Sequence, residues 1–149
     1  MTRELCHELY KQWTNDASIY MDMHLFQPYV YDEGAVNRYF DMKGQDASRR
    51  LFAIMLGDKV IGELQLKQID HDKKECSLSI HMQNDAVKGR GYGTQAERLA
   101  VKTAFDELGM AAVNADTIRK NTRSQHVLGK VGFRFVKEDE TFKYYRIER

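Results

Sequence analysis

Read for apolar and polar positions, the chain alternates between two rhythms. From Arg3 to Trp13 the apolar side chains Leu5, Leu9, Tyr10 and Trp13, with Cys6 between them, fall on one helix face, and Asn15-Asp16 closes the run. Asp32 to Met42 repeats that rhythm through Ala35, Val36, Tyr39, Phe40 and Met42. The period then drops to two. Leu51 to Leu56 and Lys59 to Ile69 read as a strand hairpin about Gly57-Asp58. Past a turn at His71 to Lys74, Glu75 to Met82 is predicted as a central strand. It carries Cys76, Leu78, Ile80 and Met82 on one side and Ser77, Ser79 and His81 on the other. The helical period returns from Gln95 to Leu108, with a predicted core stripe of Ala96, Leu99, Ala100, Thr103 and Ala104 and a capping box of Thr94 with Glu97. Met110 to Ile118 predicts a strand, Asn121 to Val131 a shorter helix ended by Gly132, and Phe133–Val136 with Phe142–Ile147 a closing strand pair. Helices and strands in this order specify a mixed, three-layer α/β domain. Asp16 to Pro28 fits neither rhythm. Its Ile19, Tyr20, Met21, Met23, Leu25 and Phe26 suit packing on the sheet or the wall of an acceptor pocket.

Composition narrows the function classes. At 149 residues the chain has the size of one domain. Lys and Arg (23) nearly balance Asp and Glu (22), so neither a basic nucleic-acid surface nor an acidic tail is indicated. No apolar run reaches the ~20 residues of a membrane helix, and the first residues lack a signal-peptide core. Cys6 and Cys76 are read as buried free thiols of a reducing compartment, which makes the cytoplasm the expected location. His7, His24, His71 and His126 fall at surface, turn or substrate-wall positions. No metal-ligand spacing is present, so no metal is expected.

The chemistry concentrates in Val87-Lys88-Gly89-Arg90-Gly91-Tyr92-Gly93-Thr94, between the central strand and a long helix. Glycine permits positive φ and close approach of a ligand. A loop entering a helix aims unpaired N–H groups at one point, with the macrodipole behind them. Lys88 and Arg90 add positive charge, and together these features predict a phosphate cradle. The spacing departs from the P-loop and from the dinucleotide fingerprint.

That loop resembles the acetyl-CoA loop of the GNAT N-acetyltransferases, [QR]-x-x-G-x-[GA], read as Lys88-Gly89-Arg90-Gly91-Tyr92-Gly93 with Lys in the first position. Asn121-Thr122-Arg123-Ser124 and Gly129-Lys130-Val131-Gly132-Phe133 resemble a second block of the same family, nearest its RimJ/RimL-like branch. The resemblance implies a three-layer α/β/α domain with a mixed, mostly antiparallel sheet, here with the family's first strand missing or very short. The edge left bare then calls for cover, and a homodimer is the expected partner arrangement. It further implies direct attack of a primary amine on acetyl-CoA, without an acyl-enzyme. Pyrophosphate falls to Lys88, Gly89, Arg90, Gly91, Tyr92, Gly93 and Thr94. The pantetheine arm falls to Ile80, His81, Met82 and Gln83, Asn121 and Ser124 reach the arm or its sulfur, and Lys130 lies near the adenosine phosphate. The family's usual strand Glu and helix Tyr are replaced by Ser77 and Leu128. The catalytic candidates are therefore His81 as base or water relay, Ser124 as donor to the departing sulfur, and Tyr145. A catalytically silent acyl-CoA-binding module is the competing expectation, and a nucleotide-binding regulator the third. The acceptor amine stays open: protein N-terminus, polyamine, aminoglycoside or amino acid.

Overall fold

A computed structural model of the chain describes residues 1–20 and 22–149, so Met21 of the irregular apolar segment lies outside the described residues. Helix α1 (Arg3–Lys11) is capped by Thr2, whose hydroxyl accepts from the Leu5 N–H, and it buries Cys6 and Leu9. Asp16 and Asp22 each cap a short 3₁₀ turn, Ala17–Ile19 and Met23–Leu25. Helix α2 (Glu33–Gln45) follows, capped by Asp32.

Strands β1 (Arg50–Leu56), β2 (Lys59–Asp70) and β3 (Glu75–Met82) form an antiparallel meander. The remaining elements are α3 (Tyr92–Asp106), β4 (Ala112–Ile118), α4 (Thr122–Val131), β5 (Arg134–Glu138) and β6 (Phe142–Glu148). All six strands join one sheet in the order β1-β2-β3-β4-β6-β5. Its one parallel pair is β3 with β4, the crossover that α3 makes possible. The mixed, mostly antiparallel α/β sheet expected from the sequence is thus present. No strand precedes α1 among the described residues, which leaves β1 at the edge.

The core lies between sheet and α3, where Leu64, Leu66, Leu78, Ala104, Val113 and Leu128 pack together. Cys6 and Cys76 are both buried and free. Alternation puts Ser77, Ser79 and His81 on the opposite face, where α1 packs on β2 and the ring of Trp13 meets that of His81. Gly62 permits the close β2–β3 approach: a Cβ there would stand 2.8 Å from the His81 carbonyl oxygen.

Two expectations for α3 need correction. The helix begins at Tyr92, with Gly91 as its N-cap at φ 82°, and no side chain caps it, so Thr94 and Glu97 form no capping box. Its buried stripe is Glu97, Ala100, Val101 and Ala104, whereas Leu99 is 67% exposed. Starting three residues early does not change the stripe. The sheet meets the face of Glu97, Ala100, Val101 and Ala104, rotated from the predicted stripe, which leaves Leu99 beyond its margin.

Candidate active site

The parallel pairing of β3 with β4 extends only through Glu75, Cys76 and Ser77 opposite Ala112, Val113 and Asn114. Beyond that point the strands part. A cleft of about 740 Å³ opens there, walled by residues from both sheet faces: Ser79 and His81 on one, Leu78, Ile80 and Glu97 on the other. The register with β2 determines which backbone groups face it. Gln83 donates its N–H to the Ile61 carbonyl at 2.8 Å. By ladder alternation the backbone groups of His81 and Ser79 also face β2, and those of Ile80 and Met82 face the opening that β4 has left.

The glycine loop stands at the mouth of this opening. Gly89 and Gly91 are left-handed, at φ 71° and 82°, with nothing within 4 Å of where a Cβ would stand. The N–H groups of the first α3 turn have no intrahelical partner and no side-chain cap. Gly93 and Lys88 line the cleft. Arg90 is solvent-exposed. The Lys88 ammonium is held between Asp16 at 3.0 Å and Asp85 at 3.2 Å, so its charge fastens the Asp16 turn to the loop. The Asp16 carboxyl is lowered to about 2, first because Ser18 hydrogen-bonds it and further because Lys88 does.

Further ties run the same way. Thr14 donates its N–H to the Gln83 carbonyl, the Asn84 side-chain amide donates to the Gln12 carbonyl, and the buried Gln83 side chain donates to the Leu9 carbonyl. The segment after α1 is thereby pinned to the segment after β3. Trp13, Asp16, Ile19 and Tyr20 become one wall of the cleft.

His81 stands on that wall, its surface open to the cleft and its ring edge-on to Trp13. Desolvation by the surrounding protein lowers its pKa below the ordinary imidazole value, with Glu63, its cross-strand partner, pulling the other way. Glu63 is buried. One of its carboxylate oxygens accepts from the Tyr39 hydroxyl at 2.7 Å and the other has no partner. Asn121 caps α4 by accepting from the Ser124 N–H at 3.1 Å, and Asn121, Ser124 and Leu128 line the cleft's far side. Lys130 is exposed on α4 and does not line the cleft. Neither does Tyr145, whose ring packs against Phe135.

The structure therefore gathers Ile80, His81, Met82, Lys88, Gly93, Asn121 and Ser124 about one opening. Sequence reasoning passed over Trp13, Asp116, Thr117 and Glu97 on the same walls. For Glu97 a signal existed in its place on the α3 face, but the preceding Thr94 made it look like a cap.

The profile of the Acetyltransferase (GNAT) domain matches residues 1–134. The chain belongs to the GNAT acetyltransferase family. Among curated proteins it is 34% identical over 76 residues to a probable N-acetyltransferase, YjcK, of Bacillus subtilis, covering 51% of this chain and 42% of that one. It is 25% identical over 123 residues to the spermidine N(1)-acetyltransferase of Escherichia coli K12, covering 82% of this chain and 64% of that one. The match thus spans about two fifths to two thirds of the length of those relatives. Among solved structures it resembles the Vibrio cholerae spermidine N-acetyltransferase in complex with CoA and spermine, with a TM-score of 0.80 at 16% identity over 99% of this chain and 92% of that one. It also resembles the Campylobacter jejuni N-acetyltransferase PseH in complex with acetyl coenzyme A, with a TM-score of 0.69 at 21% identity over 78% and 79%. At these identities the structural likeness establishes a shared fold.

Among the described residues no group of three His, Cys, Asp or Glu side chains is placed to hold a metal ion. No described helix is long and apolar enough to cross a membrane.

Proposed function

We propose that this GNAT domain transfers the acetyl group of acetyl-CoA to a primary amine by direct attack. The observation that carries the reading is the opening between β3 and β4, entered beneath an uncapped helix start that two left-handed glycines lead into. The residues fit coenzyme A. Free amides at Tyr92, Gly93 and Thr94, with Gly89, Gly91 and the Arg90 charge, suit a diphosphate. The exposed strand edge at Ile80 and Met82 suits an amide-bearing arm, and Lys130 on the α4 surface suits a further phosphate. Membership of the family and the CoA-bound relatives support the same assignment.

In this reading the lone pair of the amine nitrogen attacks the thioester carbonyl carbon. The Met82 N–H, facing the opening, polarises the carbonyl oxygen as charge develops on it. The C–S bond then breaks, and Ser124 donates toward the leaving thiolate. The ammonium proton leaves through His81 or a water beside it, since an imidazole with a lowered pKa is neutral and ready to accept at pH 7. Ser77 and Leu128 stand where the family's usual Glu and Tyr act, so orientation in the cleft carries much of the rate.

The acceptor we infer is a small polycationic amine. Asp116 lines the same cleft as the rings of Trp13 and Tyr20, a carboxylate and aromatic faces that suit alkylammonium groups. The spermidine acetyltransferase relatives point the same way. A second reading, a silent acyl-CoA-binding module, is favoured by Ser77 and Leu128. Cover of the β1 edge by a second copy completes the proposal, with light scattering as its check.

Release of free CoA thiol in the presence of acetyl-CoA and spermidine, with the acetylated amine identified by mass spectrometry, tests the assignment. Turnover with spermidine above that with amino acids or peptides is expected. CoA binding without thiol release for any amine would favour the silent module.

A further inference from the structure

The cleft wall contains a buried carboxyl that neither the phosphate cradle nor the acid–base chemistry uses. Glu97 lies on α3 one turn beyond Gly93, and it is the first member of a buried stripe otherwise made of Ala100, Val101 and Ala104. The residue is 1% exposed, its Oε2 atom has no hydrogen-bond partner, and it lines the cleft beside Leu78, Ile80 and Thr117. A carboxyl in such a place is costly unless something bonds it. An apolar side chain would serve packing better there.

Among the described residues no charged side chain faces Glu97. On this face β2 presents Leu64 and Leu66, β3 presents Cys76, Leu78 and Ile80, β4 presents Ala115, and α4 presents Leu128. Of these only Cys76 titrates, and burial pushes its thiol up to about 11. Desolvation alone raises the Glu97 carboxyl to about 7, so near neutral pH it carries a proton much of the time. A neutral carboxyl offers one donor and one acceptor. That set complements an amide, whose N–H and C=O both need partners once drawn out of water.

We propose that Glu97 is a cosubstrate-binding residue, whose carboxyl, buried in the wall of the β3–β4 opening, hydrogen-bonds an amide of the coenzyme A arm when the arm enters opposite the strand edge of Ile80 and Met82. The inference rests on the acetyl-CoA reading above and adds a partner from α3 that the cradle motif does not contain. Because the protonated form makes the contact, coenzyme A binding is linked to proton uptake. Affinity is highest below the Glu97 pKa and falls as pH rises through it.

The test is isothermal calorimetry with free CoA, a probe that cannot react, on the wild type, Glu97→Gln and Glu97→Leu. The expected wild-type Kd weakens roughly tenfold between about pH 6 and about pH 8.5. Glu97→Gln keeps both a donor and an acceptor, binds like the wild type at the lower pH, and loses this pH dependence. Glu97→Leu binds roughly tenfold more weakly at the lower pH, with a melting temperature no lower than that of the wild type. Equal CoA affinity for Glu97→Leu and wild type would overturn the contact while leaving the acetyl-CoA reading standing. Unchanged CoA affinity with a raised KM for the acceptor amine would assign Glu97 to the acceptor and overturn it too. Absence of any heat from the wild type would remove the acetyl-CoA reading itself, and this inference with it.

Discussion

Two carboxyls on either side of the cleft titrate in opposite directions, and the cause differs in each. Glu97 is raised to about 7 by burial alone. The folded state therefore holds a proton that the unfolded chain gives up near pH 4.5, and stability declines from there until the pH passes about 7. Above that pH the accumulated penalty is about 3 kcal/mol, from ~1.4 kcal/mol per pKa unit. Glu97→Leu is therefore expected to unfold at higher urea than wild type at pH 8, with the advantage vanishing toward pH 4.5. Equal midpoints at pH 8 would mean that the carboxyl is hydrated. Asp16 shows the reverse sign. Lowered to about 2 by Ser18 and then by Lys88, it stabilises above its unfolded pKa near 4, and that contribution drains away as pH falls toward 2. Screening by solvent holds its full size to about 1 kcal/mol. Asp16→Asn should flatten the acid limb of the melting-temperature profile and detach the segment after α1 from the Lys88 ammonium.

At the scale of elements, the decisive junction is where β3 hands over to α3. Gly91 is the N-cap of α3 and Gly89 precedes it, both left-handed. An L side chain at either position costs about 1–2 kcal/mol in the left-handed region. Space is not the obstacle, since nothing lies within 4 Å of either added Cβ. Gly91→Ala should accordingly lower the unfolding free energy by that amount. It should weaken CoA binding by more than the stability loss predicts, because the backbone relaxes by rotating the helix-start amides away from their common point. A variant that keeps full CoA affinity would show that those amides do not hold the diphosphate. The loop and both glycines were legible from the sequence. The position of the first helical residue was not, since only packing against β3 decides how far a helix unwinds toward its N-terminus.

For the molecule as a whole, the sheet is a stiff centre with one wall strapped on. β2 is flanked by β1 and β3 along nearly its whole length, whereas the cleft wall at Thr14–Tyr20 is held by a few bonds to Gln83 and Lys88. Hydrogen exchange should therefore leave amides of β2 and β3 protected longest, and exchange those of the 3₁₀ turns after Asp16 and Asp22 early. CoA binding should slow exchange at the start of α3. Early exchange across β3 would contradict the register described here.

Period and punctuation alone determined the order of the elements, the hairpin at Gly57-Asp58 and the glycine-led entry to α3, while the resemblance to a family tied that loop to the Asn121 block. These are local: a two-residue alternation, a 3.6-residue stripe and a glycine's φ range are properties of neighbouring residues. The tertiary structure decided what depends on distance through space. That the central strand parts from the next follows from the resemblance, but only folding shows that β3 and β4 stay together for three residues first, because that requires two strands separated by a whole helix. The same holds for Lys88, which reads as a free charge until Asp16 is brought beside it. Glu97 reads as a helix cap until the sheet covers it, and a carboxyl's role depends on whether water can reach it.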